Sequence, residues 1–164
     1  MTRIHDSNDL VAMCEHITVT AAEYSSGTIE QNLTYACEEF VTLTWPHAEL
    51  SEDDVRATID AIAMAEGWDP PAVFFGNSFS RCEAYVQLES RSVKFNRRHV
   101  QLSTVLHELA HLVAASAVHS SRFRTELCAL TRSHWGVEQA SLLHSLYRGV
   151  GLDVDPWQAT RRQH

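Results

Sequence analysis

The chain has 164 residues, 45% apolar and 21% charged, a composition that fits one folded domain and excludes a disordered, collagen-like or staple-dependent chain. Lysine and arginine number 13 against 21 aspartates and glutamates, and the resulting formal charge of -8 argues against a general nucleic-acid binder, whose affinity comes from neutralising phosphates. Apolar runs fall well short of the ~18 residues a membrane span needs, and Met1-Thr-Arg-Ile-His-Asp-Ser lacks the layout of a signal peptide, so a cytoplasmic chain off the membrane is expected.

Three helices are predicted first. Leu10, Cys14, Ile17 and Ala21 recur at helical spacing behind Asp6 or Ser7 as a cap, with Gly27 as a stop. Ile29, Leu33, Cys37 and Phe40 form the stripe of a second helix, which ends near Trp45 because the residue before Pro46 is pushed out of helical space. Ser51-Glu-Asp-Asp54 opens a third in capping-box style, with Val55, Ile59, Ile62 and Ala63 as its buried face and Gly67 as its end. After Asp69-Pro-Pro71 the period changes. Ala72 to Phe75, Glu83 to Leu88 and the Val93/Phe95 pair read as a meander of about three short, mostly antiparallel strands. Helical periodicity returns from Val100 to about Ala117, from Ser121 to His134 and from Val137 to Arg148. The expected class is α+β, a single domain over residues 1–164 with a helical extension at 1–28 and a tail at 152–164. Cys14, Cys37, Cys82 and Cys128 form no C-x-x-C pair and read as small buried hydrophobes in a reducing compartment.

The chemistry lies in Val105-Leu-His107-Glu108-Leu-Ala-His111-Leu-Val. Histidines four apart stand one turn apart on one helix face, so both imidazoles can reach a single metal ion. Zinc, a tetrahedral ion content with nitrogen ligands, suits that pair. Glu108, about 100 degrees round the helix from His107, is placed to act as general base toward a water on the ion. Polar side chains in so apolar a helix also need a partner to offset the cost of burial. A catalytic zinc takes a third protein ligand. Ala114 and Ala117 stand where the metzincin extension requires glycine and histidine, which excludes that class. His119, just past the expected helix end and before the capping candidates Ser120 and Ser121, is one candidate; Glu126, a turn into the next helix, is the rival.

His107-Glu-Leu-Ala-His111 followed by His119-Ser-Ser-Arg-Phe123 resembles the SprT-like zincin pattern of H-E-x-x-H followed by H-G-x-x-F. The fuller resemblance is to a family of short actinobacterial and actinophage HExxH metallohydrolases, over about Glu30 to Leu152 and including Ala84-Tyr85 before the motif. It implies a zincin-like fold, zinc on His107, His111 and His119, catalysis by Glu108, and Phe123 as a packing anchor behind the third ligand. It also implies an extended peptide or protein substrate laid along an edge strand near Cys82 to Val86, by strand addition. Ser120 departs from the pattern's glycine, and the zinc ribbon of longer SprT-like proteins is absent from this sequence.

An oxyanion donor is also required; Arg124, His134, His144 and Tyr147 are conceivable, with Tyr147 reading as core and the histidines as surface. Two functions follow as expectations: a zinc metallopeptidase, or a zinc-stabilised interaction module without turnover. Retention of Glu108 favours the enzyme.

Overall fold

In chain order the elements are α1 (Ser7–Glu23), α2 (Ile29–Thr44), α3 (Glu52–Glu66), β1 (Ala72–Phe75), β2 (Ala84–Gln87), β3 (Ser92–Phe95), α4 (Leu102–Ala114), α5 (Ser121–His134) and α6 (Val137–Gly149). The computed structural model describes residues 7–25, 27–76 and 83–157. The expected α+β class holds: the described residues form six helices and a small three-stranded sheet. The chain divides into two compact units, one of residues 46–117 and one of residues 1–45 with 118–164. Among the described residues no helix is long and apolar enough to cross a membrane.

In the 46–117 unit, Ser51 caps α3 through a reciprocal box. Its hydroxyl accepts from the Asp54 N–H at 3.3 Å, and the Asp54 carboxylate accepts from the Ser51 N–H at 3.3 Å. Val55, Ile59, Ile62 and Ala63 are buried as their spacing requires, and Gly67 ends the helix in the left-handed region at φ 76°.

The sheet corrects the expected meander. Its order is β1-β3-β2, with β1 parallel to β3 and β2 antiparallel to it. The sheet is therefore mixed, not mostly antiparallel. The central place falls to the strand with Val93 and Phe95, both fully buried, while the flanking strands turn Phe74 and Tyr85 outward. β2 and β3 form a hairpin closed by Arg91 N–H to Leu88 O at 3.2 Å. A longer connection leaves β1, so β1 does not have to pair with its sequence neighbour. Among the described residues β2 is thus an edge strand, as expected for Ala84 to Val86; Cys82 lies outside them.

α4 packs against β2. Val105, Leu106, Leu109 and Ala110 are fully buried, and so nearly are His107, Glu108 and His111, so this helix is enclosed on all sides. Its N-cap residue, Gln101, makes no side-chain capping hydrogen bond, and His47 serves instead: its Nε2 accepts the Leu102 N–H at 2.8 Å. The helix ends sooner than periodicity implied. Ala115, at φ 50° and ψ 43°, turns the chain into left-handed space, and the Ser116 N–H closes on His111 O at 3.1 Å.

A non-glycine residue there costs about 1–2 kcal/mol. Ala115→Gly relieves that strain but adds about 0.4–1 kcal/mol of unfolded-state entropy, so the net expectation is a gain near 0.5 kcal/mol. Ala115→Val, β-branched at the same φ, is expected to lower the melting temperature. Thermal unfolding of the two variants checks both signs.

In the second unit α1 packs on α2 and α6, and α5 on α6. Ile17 and Ala21 are buried on α1 as read. On α2 the buried stripe is Thr34, Ala36, Cys37 and Val41, and Ile29, assigned to it from sequence, is 81% exposed because it opens the helix's first turn. Cys37 and Cys128 are buried free thiols whose burial pushes their pKa values up, in keeping with a hydrophobic role. Ser120 caps α5 by accepting the Phe123 N–H at 3.3 Å.

Candidate metal centre

His107 and His111 lie one turn apart on α4, and their Nε2 atoms approach to 3.2 Å. The Nδ1–H of His111 donates to Ser116 O at 2.8 Å. That bond fixes the tautomer and leaves Nε2 of His111 a lone pair facing His107. Bonds of about 2.0–2.1 Å to a tetrahedral ion put two ligand nitrogens about 3.3 Å apart, so the spacing fits a shared cation.

The left-handed bend at Ala115 also sends the chain toward the third histidine. The ligand atoms of His107, His111 and His119 all lie within 4.8 Å of one another, and all three residues are buried. Such a group can hold a metal ion. Among the described residues it is the grouping of histidine, cysteine and carboxylate side chains that meets the spacing for a site, and Glu126 is not in it. Two rings bracket His119: Phe123 meets it edge-on with centroids 4.7 Å apart, and Tyr35 of α2 at 4.8 Å. Phe123, fully buried, thus stands where a packing anchor was expected. Glu108 is buried beside the histidines in the sequence, 6% exposed.

Burial holds the pKa of His111 down to about 4; the neighbouring His107 lowers it further, and the Ser116 carbonyl works the other way. The imidazole is therefore neutral at pH 7, the form in which a histidine can ligate a metal. Because the folded pKa lies below the unfolded value of about 6.5, the unfolded chain takes up the proton first as pH falls. The metal-free protein is then expected to lose on the order of 3 kcal/mol between pH 6.5 and 4, with no further loss from this group below pH 4. Urea titrations across that range in chelator, with His111→Gln flattening the slope, check the sign.

The oxyanion candidates fare differently. Arg124 is 1% exposed, with its donors committed to Asp153 O, His119 O and Glu30. Tyr147 is fully buried and donates to Glu38 at 3.5 Å. His144, expected on the surface, is buried, and its Nε2 donates to Asp155 O at 2.8 Å. His134 is half-buried on the last turn of α5.

Tyr35 and Ser116 are what sequence reasoning missed. Nothing links position 35 to position 119 in one sequence, and a backbone carbonyl carries no residue signature. Arg124 did leave a trace, since it shares the helical stripe of Leu127, Cys128 and Thr131 and so points into the core. Compared with protein-family models, curated proteins and solved structures, the chain matches none.

Proposed function

We propose that the chain is a zinc-dependent metallohydrolase of zincin-like type, a peptidase with His107, His111 and His119 as ligands and Glu108 as general base. One observation carries the reading: two imidazole Nε2 atoms 3.2 Å apart inside a buried H-E-x-x-H helix, with a third buried histidine within reach. Zinc held there supplies Lewis acidity and a water acidified to a pKa near ~7. Glu108 takes up the proton of the attacking water and delivers it to the departing amine. Ser116 keeps the His111 tautomer, and enclosure of the imidazoles strengthens every charge interaction near them. β2 supports a peptide substrate, being, among the described residues, an edge strand packed on the helix that carries the motif, where an extended backbone can join the ladder. The net charge of -8 weighs against nucleic acid.

The test is a peptide-library digest with zinc-reconstituted protein. Cleavage that stops on chelation and returns with zinc is the expected result. One zinc per chain with no cleavage of any library overturns the enzyme and leaves a zinc-stabilised interaction module. That second reading draws support from the commitment of Arg124, Tyr147 and His144 to partners within the fold.

A further inference from the structure

His119 differs from the other two histidines in how it is held. His107 and His111 are placed by the hydrogen-bond ladder of α4, whereas His119 sits in the irregular segment between α4 and α5. A ligand on such a segment needs something else to fix its backbone.

Arg124 stands at that point. It is 1% exposed, in a place where a guanidinium is tolerated only if its donors are used. Nη1 donates to the carbonyl of His119 itself at 2.5 Å, Nε to Asp153 O at 2.7 Å, and Nη2 to Glu30 Oε1 at 2.8 Å. The first acceptor belongs to the candidate ligand, the second to the segment after α6, and the third to the first turn of α2. One planar fork therefore joins three stretches of chain far apart in sequence at the third histidine. A lysine, with a compact ammonium on a flexible stem, cannot span three acceptors in those directions.

We propose that Arg124 is a positioning residue for the third metal ligand, braced by Glu30: it fixes the His119 backbone so that the imidazole meets the other two with little ordering left to do on binding. The assignment rests on the metal-centre reading above but is independent of hydrolysis. Arg124 acts through the His119 backbone, since its bonds run to the protein's own oxygens.

The experiment measures zinc affinity by chelator competition, and the visible spectrum of the cobalt(II) form, for wild type, Arg124→Lys and Glu30→Gln, each with and without His119→Ala. Arg124→Lys is expected to weaken zinc about 10–100-fold, the usual effect of losing a group that orients a ligand. Its cobalt spectrum should move toward that of His119→Ala. Glu30→Gln should show a smaller loss in the same direction. In the His119→Ala background neither substitution should change the remaining affinity, because the interaction they act through is gone. Wild-type affinity in both single variants overturns the proposal. So does an equal loss with and without His119, the mark of an arginine that merely supports the fold. If Arg124→Lys does not fold, Glu30→Gln decides, because the Glu30 side chain is 57% exposed and glutamine keeps an acceptor. A wild-type chain that takes up no zinc overturns the metal centre itself and this role with it, a result recognisable because every variant then behaves alike.

Discussion

Glu108→Gln is expected to leave zinc uptake unchanged and to lower peptide hydrolysis about 10²–10⁴-fold, the range general-base catalysis contributes. The substitution keeps volume and hydrogen-bonding reach but removes the basic oxygen. Glu108 is buried in the middle of α4, next in sequence to the first histidine of the grouping, and a site that only stapled the fold would gain nothing from a basic oxygen there. The amide variant separates two quantities that other substitutions mix, metal occupancy and turnover. Measuring both on one preparation is the check. Full activity with one zinc bound would remove Glu108 from the chemistry, and loss of zinc along with activity would assign it a ligand's role instead.

The second large effect concerns stability. Zinc at about a thousand times its dissociation constant stabilises a folded chain by about 4 kcal/mol. For a protein of this size that corresponds to a rise of roughly 8–16 °C in melting temperature. His119→Ala is expected to abolish most of that rise while changing the metal-free melting temperature much less. Its ring does pack on Phe123 and Tyr35, so a modest loss of metal-free stability accompanies the change. Glu126→Gln serves as the control, because Glu126 lies outside the histidine grouping, and it should keep the full zinc-dependent rise. Scanning calorimetry of the three proteins with and without zinc provides the comparison. A zinc response that survives His119→Ala and disappears in Glu126→Gln would exchange their roles.

What the sequence made legible is what local physics controls. The Ser51 box, the Gly67 stop and the Val55/Ile59/Ile62/Ala63 face all follow from side chains within one or two turns, and each appears where the spacing placed it. The histidine pair is legible for the same reason, since a separation of four fixes two side chains on one helix face. The strand order was not, because the centre of the sheet is chosen by the burial of Val93 and Phe95 against distant residues. The early end of α4 escaped as well. Its left-handed residue is an alanine, and no glycine marks the stop. The environment of His119 is the least local of all: Tyr35 and Glu30 of α2, Arg124 of α5 and Asp153 after α6 converge there.

The bend at Ala115 has a consequence for how the chain acquires its metal. Because the three histidines fall within residues 107–119, assembling them demands closure of one short loop, and the entropy of closing a loop grows with its length. A helix of this kind and a loop of this size form within microseconds, long before pairings of high sequence separation. The donor set can thus come together while the rest of the polypeptide is still unfolded, and an ion captured then would act as a seed for folding rather than an addition to a finished protein. The long-range ties at Arg124 come later, and they govern how long the ion stays more than how soon it arrives.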